Sequence, residues 1–261
     1  MAVQTIQTKT LSMCYLRFGN PEGQPFVILP GVAVRSVMLS EDAIRAQYGA
    51  LAETYDLYVL DRRTDMPELY PVMAMAEDTC QALDALHLQG AVVYGVSQGG
   101  MIALAMAVQR PDLVGKLVLC STAAHTTPAL LHIMQEWDSL AAVETVPALM
   151  RSFAENVYTP AYCEMYRDAF QAFGSTVTAE DLHRFRIMLR GLAGFDVRER
   201  LQQIQCPVLV MAGAQDKLFG TEAAQTIAAS TQAALAVFPD GAHGVYDEDP
   251  DVLGRIIAFL G

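Results

Sequence analysis

Basic residues are scarce in this chain. Lys and Arg number 17 against 29 Asp and Glu in 261 residues, which gives a formal net charge of −12. A protein that binds nucleic acid needs clustered Lys and Arg to neutralise the phosphates, and no such cluster or run is present. The composition therefore predicts that nucleic acid is not a partner.

Long apolar runs are missing as well. The longest, such as MIALAMAV at 101–108, fall far short of the roughly 20 residues that span a bilayer. The first residues, MAVQTIQTKTLSM, lack the basic and apolar regions of a secretory signal peptide. We therefore expect no membrane association and a cytoplasmic location.

Cysteine chemistry is limited in the same way. The five cysteines are an odd number and contain no CxxC unit: Cys14, Cys80, Cys120, Cys163 and Cys206. This pattern favours reduced thiols over a disulfide framework or a zinc site. No histidine pair has metal-ligand spacing with a third ligand, and no G-x-x-x-x-G-K-[ST] phosphate loop occurs. The sequence predicts no metal site.

The sequence does contain a repeated rhythm of strands and helices. Apolar residues make up 52% of the chain and charged residues 18%, which favours an ordered globular protein. Eight short strand-like runs occur, near residues 5–11, 13–18, 25–31, 56–61, 90–96, 116–122, 207–213 and 234–240. Most alternate with helical patterns. This alternation predicts an α/β fold, a mostly parallel eight-stranded sheet with helices on both faces.

The alternation of strand and helix patterns is interrupted between the sixth and seventh predicted strands. Residues 124–204 are mostly helical in pattern, and about 80 residues are too many for a simple connection. We predict that this segment, here called the cap, is a helical insertion over one end of the sheet. Residues 1–123 and 205–261 then form the core. The spacing of the apolar cap residues suits both core packing and a pocket lining.

A serine stands between glycines where a predicted strand gives way to a predicted helix. Gly95, Ser97 and Gly99 form the pattern G-x-S-x-G, and Gly100 follows. A sharp strand-to-helix turn exposes such a serine, and the residues two before and two after it approach too closely to carry side chains. An ordinary glycine-rich turn is the alternative, which the strand before and the helix after weaken. The pattern predicts Ser97 as a nucleophile.

Two residues that follow later strands can activate this serine. His243 lies just after the last predicted strand, in a loop between Gly241 and Gly244, and Asp216 follows the penultimate strand. An aspartate in a turn is common, so Asp216 alone is a weak signal. A serine nucleophile, however, needs a base that an acid orients, and open α/β sheets build sites at the carboxyl ends of their strands. We predict a triad of Ser97, His243 and Asp216.

Backbone amides complete the predicted site. A negatively charged oxygen that develops near Ser97 needs hydrogen-bond donors, and the N-terminus of a helix supplies them. One donor is predicted to be the N–H of Gln98, directly after the nucleophile. The other is predicted in the loop after the third strand, residues 30–36, as the N–H of Val32, with Ala33 as the alternative. This segment is called the oxyanion loop below.

With these motifs in place, the chain resembles the α/β-hydrolase superfamily over almost its whole length. Segments 109–122, 206–218 and 241–260 look like the family's segments around the nucleophile helix, the acid and the histidine. The most similar members are serine-dependent and carry a helical lid: carboxylesterases, enol-lactonases and C–C bond hydrolases of ring-cleavage products. Haloalkane dehalogenases and epoxide hydrolases carry aspartate at the nucleophile position and dienelactone hydrolases carry cysteine, whereas this chain has Ser97.

Two segments depart from the family pattern. The oxyanion loop begins Pro30–Gly31 where the family usually has His-Gly, which removes a side-chain contact but keeps the amide donor. The loop after the fourth strand reads DRRTDMPELY at 61–70, where the family usually has a glycine-rich segment. The second departure changes one wall of the expected pocket.

The resemblance implies a serine hydrolase that cleaves a small ester, lactone or vinylogous ketone through an acyl-enzyme, without a cofactor. A small-molecule substrate is then the expected partner. Two alternatives stay open: an acyltransferase or lyase that uses the same triad, and a ligand-binding receptor with slow turnover. The apolar cap and the shortage of cations favour small, uncharged or apolar acyl groups, and Arg35 and Lys217 are the cations nearest to the motif loops. The sequence leaves the oligomeric state and the pocket-lining cap residues open.

Overall fold

An eight-stranded sheet forms the centre of the computed structural model, which describes residues 3–261. In chain order the strands are β1 (Gln4–Gln7), β2 (Ser12–Gly19), β3 (Pro25–Leu29), β4 (Asp56–Arg63), β5 (Ala91–Val96), β6 (Val114–Cys120), β7 (Val208–Gly213) and β8 (Ala234–Phe238). Their order across the sheet is β1-β2-β4-β3-β5-β6-β7-β8. Strand β2 runs antiparallel to β1 and β4, and the other neighbouring pairs are parallel. The predicted mostly parallel sheet is confirmed.

Helices cover both faces of this sheet. In chain order they are α1 (Glu41–Gln47), α2 (Gly49–Ala52), α3 (Val72–Ala85), α4 (Gln98–Gln109), α5 (Pro128–Ala142), α6 (Val146–Val157), α7 (Pro160–Met165), α8 (Arg167–Gly174), α9 (Ala179–Arg190), α10 (Gly220–Thr231), α11 (Val245–Glu248) and α12 (Asp251–Leu260). Short 3-10 helices lie at Val37–Ser40 and Arg198–Gln203. The sheet is therefore the middle layer of three.

Burial on both faces explains why the strands read as continuous apolar runs. Every residue of β5 and of β7 is buried. Alternate residues of a strand point to opposite faces, so Val93 joins a cluster with α3, α4 and α10 while Val92 joins another with α2 and α12. A strand covered on both sides has no polar face, and this pattern is what the sequence contains.

The five helices α5–α9 lie in the chain between β6 and β7. Threonine and proline mark several of their starts. The hydroxyls of Thr127 and Thr159 accept hydrogen bonds from backbone amides in the first turns of α5 and α7, and a proline follows each threonine. Thr178 and Asp181 form a reciprocal capping box at α9, the arrangement that satisfies two free amides of a first turn. The boundaries of the cap as a separate unit stay a prediction.

One predicted helix is divided in the structure. The pattern over residues 40–54 predicts a single helix, but the chain forms the 3-10 turn, then α1, then α2. Tyr48 separates α1 from α2 with φ −103° and ψ 12°, outside helical geometry. Its buried ring packs edge-on against Tyr94 of β5. We attribute the break to this packing, which the local sequence pattern does not contain.

In the described part of the chain, residues 3–261, we find no helix with both the length and the apolar character that crossing a membrane requires.

Candidate active site

The turn between β5 and α4 holds Ser97 in an unusual backbone conformation. Its φ is 52° and its ψ is −120°, in the region of positive φ that non-glycine residues rarely occupy. Four hydrogen bonds fix the residue. Its N–H donates to Cys120 O at 3.0 Å, and its carbonyl accepts from Gly100 N–H at 2.9 Å, from Met101 N–H at 3.2 Å and from the Thr122 hydroxyl at 2.7 Å. The surrounding structure thus maintains a strained turn, as the G-x-S-x-G pattern predicts.

Close backbone approach explains the glycines around Ser97. A Cβ atom on Gly95 would lie 2.5 Å from the carbonyl oxygen of Gly99, and one on Gly100 would lie 2.6 Å from Cβ of Thr122. A Cβ on Gly99 would overlap the carbonyl group of Leu29, at the end of β3. Each glycine therefore allows the nucleophile turn to pack against its neighbours.

His243 and Asp216 form a buried pair at the same edge of the sheet. Asp216 follows β7 and His243 follows β8, and His243 Nδ1 lies 2.9 Å from Asp216 Oδ2. The exposed fractions of the two residues are only 2% and 7% respectively. The other carboxylate oxygen, Oδ1, accepts the N–H groups of Leu218 at 2.8 Å and Phe219 at 3.1 Å. Asp216 is therefore held in one orientation by its own turn.

The surroundings of Asp216 keep it ionised. Burial alone would raise the pKa of its carboxyl. The facing charge and hydrogen bond of His243, together with the amides of Phe219 and Leu218, outweigh burial and hold the pKa below its ordinary value. An ionised Asp216 fixes the proton of His243 on Nδ1 and leaves Nε2 able to accept a proton.

Ser97 and His243 line one small cavity, here called the catalytic cavity, with a volume of about 30 Å³. Among the hydrogen bonds of residues 3–261, none joins Ser97 Oγ to His243. Contacts of this kind are often long in an unliganded site and shorten when substrate binds. The structure thus brings the two predicted residues to one cavity without closing a bond between them.

The oxyanion loop lies directly beside the nucleophile. A Cβ on Gly31 would lie 3.1 Å from Cβ of Ser97, and Val32 lines the catalytic cavity. Within residues 3–261, the backbone N–H groups of Val32 and Gln98 have no backbone acceptor. Two amides without such partners next to a serine are what an oxyanion site requires. The assignment of these two donors stays a prediction.

Apolar side chains surround the rest of the catalytic cavity. They come from the cap and from the acid and histidine segments: Leu130, Met134, Trp137, Phe153, Val157, Leu192, Leu218, Phe219 and Tyr246. Other apolar residues of the cap do not line this cavity: Leu149 is buried elsewhere, and Phe173 is 37% exposed. Met150 and Phe170 line a second, larger cavity of about 1020 Å³, here called the outer cavity, between α6 and the pair α7–α8.

The two cations that flank the motif loops are engaged away from Ser97. Arg35 donates to the Thr176 hydroxyl at 2.7 Å and lies 3.5 Å from the carboxylate of Asp181. Lys217 donates to the carbonyl oxygen of Glu155 at 2.7 Å and lines the outer cavity. Neither lines the catalytic cavity, so neither provides an anchor for a substrate carboxylate there.

The structure reveals one buried cation that sequence reasoning missed. Arg62, at the end of β4, is 2% exposed. Its Nη2 group donates to the carbonyl of Pro30 at 2.7 Å and to Oε1 of Gln98 at 3.3 Å, and Nε2 of Gln98 donates to the carbonyl of Met188 in α9 at 2.8 Å. Burial lowers the pKa of Arg62. The only sequence signal was the departure at 61–70, which places two arginines after a buried strand.

The segment that carries His243 is bonded to the cap. We call residues 239–248 the histidine segment. The N–H of Gly244 donates to Val157 O at 2.6 Å, and the Tyr158 hydroxyl donates to Asp247 at 2.9 Å. The carboxylate of Glu248 accepts the N–H of Thr159 at 2.5 Å and that of Ala242 at 2.9 Å. The junction of α6 and α7 is therefore bonded to the segment that carries His243, the predicted base.

The remaining polar groups do not form a metal centre. Within residues 3–261, no group of three or more His, Cys, Asp or Glu side chains is arranged to hold a metal ion. His183, one of the cap histidines, lies 3.2 Å from Glu68 on the surface. The five cysteines are all free thiols.

A sequence model of the alpha/beta hydrolase fold matches residues 46–250. Among curated relatives, "Putative carbamate hydrolase RutD" of Caulobacter sp. (strain K31) is 28% identical over 231 residues, covering 82% of this chain and 84% of that protein. The protein named 3-oxoadipate enol-lactonase 2 of Acinetobacter baylyi is 22% identical over 215 residues, covering 81% and 79%.

Solved structures give the same picture of the fold. A hydrolase from Pseudomonas aeruginosa PA01 superimposes with a TM-score of 0.84 and 25% identity, covering 99% of this chain and 98% of that one. The enol-lactonase from Burkholderia xenovorans LB400 superimposes with a TM-score of 0.86 and 18% identity, covering 98% and 99%. Both alignments include the cap as well as the core.

Proposed function

This chain belongs to the alpha/beta-hydrolase family, and on that premise we propose that it is a serine hydrolase of a small ester, lactone or activated C–C bond. The observation that carries the proposal is the 2.9 Å bond between the buried side chains of His243 and Asp216, beside the cavity that Ser97 lines. Relatives named as a carbamate hydrolase and an enol-lactonase support hydrolysis on this fold.

The chemistry begins with proton transfer from the serine. Asp216 accepts a hydrogen bond from Nδ1–H of His243 and stays ionised, so Nε2 takes the proton of Ser97 as Oγ attacks the substrate carbonyl carbon. The negative charge moves to the carbonyl oxygen, where the amides of Val32 and Gln98 donate hydrogen bonds. His243 then protonates the leaving group, whose bond to the acyl carbon breaks, and an acyl-enzyme remains.

Water completes the cycle by the same groups. His243 removes a proton from the attacking water, and the second tetrahedral intermediate uses the same two amides. Collapse of this intermediate returns the proton from His243 to Ser97 and releases a carboxylic acid. A carbamate would follow the same steps and release a carbamic acid.

The catalytic cavity supports a small and uncharged acyl group. Its volume of about 30 Å³ is small beside the volume of about 1020 Å³ of the outer cavity. Its lining is mostly apolar, and a carboxylate there would lose hydration without gaining a cation. Esters with short neutral acyl chains are therefore the proposed substrate class.

Substitution of the nucleophile tests the proposal. Ser97→Ala is expected to abolish labelling by a fluorophosphonate and to lower kcat on p-nitrophenyl acetate by at least about 10³-fold, because the triad acts as a unit. Asp216→Asn is expected to lower kcat by up to about 10⁴-fold through the wrong histidine tautomer. Ser139→Ala, on the exposed side of α5, is the control and keeps both activity and labelling.

The same assay separates the alternatives. Many turnovers per Ser97 support a hydrolase, whereas one stoichiometric burst followed by arrest supports a slow receptor or a transferase that lacks its acceptor. Esters with matched neutral and carboxylated acyl groups test the substrate class. A preference of about tenfold or more for the carboxylated ester, equal to about 1.4 kcal/mol of transition-state binding, contradicts the neutral pocket.

A further inference from the structure

Arg62 is a charged residue in the protein interior, where its side chain loses hydration that packing alone does not replace. The side chain is 2% exposed, and its Nε atom has no hydrogen-bond partner among residues 3–261. A buried cation loses several kcal/mol of hydration, and an apolar residue of similar volume often gives a more stable protein. Stability therefore does not explain an arginine here.

The hydrogen bonds of Arg62 reach the two segments that carry the proposed oxyanion donors. Pro30, whose carbonyl accepts at 2.7 Å, lies two residues before Val32 in the oxyanion loop. Gln98, whose Oε1 accepts at 3.3 Å, carries the other donor on its own backbone. One guanidinium nitrogen, on β4, thus joins the end of β3 to the first residue of α4.

We propose that Arg62 is a positioning residue that sets the separation of the Val32 and Gln98 amides, an inference that rests on the proposed serine-hydrolase function. The two amides lie on segments that follow different strands, and their N–H groups must both point to the carbonyl oxygen of the substrate. An error of about 1 Å in such a site can lower the rate by about 100-fold. Arg62 does not contact the substrate in this proposal, and it acts through Pro30 and Gln98.

Asp61, the residue before Arg62, bonds to the oxyanion loop and to the cap as well as to Arg62. The backbone N–H of Arg62 donates to the side chain of Asp61 at 2.7 Å. Asp61 also accepts the Ser36 hydroxyl at 2.5 Å, and Nη2 of Arg184 lies 3.4 Å from it. Ser36 belongs to the oxyanion loop and Arg184 to the cap helix α9. The carboxylate of Asp61 lies next to Arg62 in sequence and reduces the electrostatic cost of the buried charge.

Burst kinetics with p-nitrophenyl acetate separate positioning from folding. The burst amplitude counts active sites, and the burst rate reports acylation at each site. Arg62→Met is expected to lower the acylation rate per active site by about 10- to 100-fold, as a displaced donor would, with little change in KM. Arg63→Met is the control, because Arg63 bonds instead to Asp65, Asp78 and the Thr10 carbonyl, and its rate per site should stay at the wild-type value.

A purely structural role gives a different result. Arg62→Met would then reduce the amplitude but leave the rate per active site within about tenfold of wild type, a change smaller than that of a displaced donor, and the proposal would be overturned. If Arg62→Met yields no folded protein, Arg62→Lys and Gln98→Met replace it. Lysine keeps the charge but has a single donor group of different reach, so the per-site rate should again fall by about tenfold or more.

A double-mutant cycle tests the route through Gln98. Gln98→Met removes the side-chain acceptor and keeps the backbone N–H, so its effect should resemble that of Arg62→Met. The double variant should lose less than the product of the two single losses, since both remove one interaction. Fully multiplicative losses would overturn the proposal.

The proposed function is checked separately in the wild type. Fluorophosphonate labelling of Ser97, located by mass spectrometry of the digested protein, tests the serine hydrolase itself. A wild type without such labelling defeats the proposed function. A labelled wild type with an unimpaired Arg62→Met variant defeats only the inference about Arg62.

Discussion

The backbone conformation of Ser97 itself is energetically unfavourable. A non-glycine residue held at positive φ costs on the order of 1–3 kcal/mol, and Ser97 has a φ of 52°. The hydrogen bonds that Gly100 and Thr122 donate to the Ser97 carbonyl, and the one that Ser97 N–H donates to the Cys120 carbonyl, maintain that conformation. The turn therefore depends on close contacts that any added side-chain atom would disturb.

Two glycine substitutions test this dependence. Gly99→Ala is expected to lower the free energy of unfolding by more than about 2 kcal/mol, because its Cβ would overlap the Leu29 carbonyl and overpacking typically costs 1–3 kcal/mol. Gly49→Ala is the control, since a Cβ there meets no atom within 4 Å, and its stability should change by less than about 1 kcal/mol. Urea denaturation measures both. Equal stability of the two variants would contradict the steric argument.

Asp247 in the histidine segment gives the protein a second pH-dependent carboxyl. The protein atoms packed around the Asp247 carboxyl, which desolvate it, raise its pKa to about 6, although the residue as a whole is exposed. Hydrogen bonds from Tyr158 and Gln47 lower this pKa, and the charge of Glu248 adds to the increase. The folded state then holds a proton that the unfolded state, with a pKa of 3.8, releases. The stabilisation by Asp247 is complete below pH 4 and is lost as the pH rises through 6.

The variant Asp247→Asn is expected to remove this dependence. An amide does not titrate, so the unfolding free energy of the variant minus that of wild type should increase between pH 4 and pH 7. The increase should stay below about 1 kcal/mol, because Asp247 is exposed and solvent screens its charge. Urea denaturation across this range gives the two values. A difference that stays constant with pH would show that Asp247 titrates normally.

The sequence was sufficient to predict some residues of the candidate site but not others. Ser97 was predictable because its glycines stand within two positions of it, and Asp216 and His243 because each follows a recognisable strand. Arg62 was not, since its acceptors Pro30 and Gln98 lie 32 and 36 positions away. A buried cation has no local signature, because burial depends on how distant strands pair.

Among the secondary-structure elements, helix α6 has two faces that line different cavities. Phe153 and Val157 line the catalytic cavity, whereas Met150, Ala154 and Tyr158 line the outer cavity. The alternation follows from the helical period, which places residues three or four apart on one side. Helix α6 is therefore a wall between the two cavities.

Shortening a side chain in that wall should change the acyl-chain preference. Phe153→Ala is expected to raise the kcat/KM ratio of p-nitrophenyl hexanoate to acetate by about tenfold, because each newly buried methylene contributes up to about 0.8 kcal/mol. Phe173→Ala is the control, since Phe173 is 37% exposed and does not line the catalytic cavity. An unchanged ratio in Phe153→Ala would mean that another part of the cavity limits chain length.

Elements of the sheet were easier to predict than the cap. Strands β5 and β7 are apolar throughout because both faces are covered, so their runs were visible without knowing the fold. The cap helices were visible only as a helical region. An amphipathic period indicates that one face is buried, but it does not indicate whether the core or a cavity covers that face, as Leu149 and Phe153 illustrate.

The whole molecule has a continuous apolar interior from core to cap. One buried cluster contains Ile102 of α4 together with Trp137 and Phe185 of the cap helices. The centroid of the Trp137 ring lies 4.9 Å from the centroid of the Phe153 ring and 6.4 Å from that of the Phe185 ring. A shared cluster of this kind favours unfolding as one cooperative unit.

Trp137 allows this to be measured, because it is the one tryptophan in the chain. Unfolding followed by tryptophan fluorescence is expected to coincide with unfolding followed by far-UV circular dichroism, which reports the sheet and all the helices. A Trp137→Phe variant gives the tyrosine background. A fluorescence midpoint at lower urea than the dichroism midpoint would indicate that the cap unfolds first.

The bonds between the α6–α7 junction and the histidine segment have a kinetic consequence. The Gly244 N–H that bonds to Val157 is one residue from His243, so a motion that lifted this junction would also pull on the proposed general base. Opening of the junction and proton transfer would therefore exclude each other, and the turnover rate could not exceed the rate at which the junction closes again. The water that hydrolyses the proposed acyl-enzyme would have to be enclosed in the catalytic cavity before the junction closes.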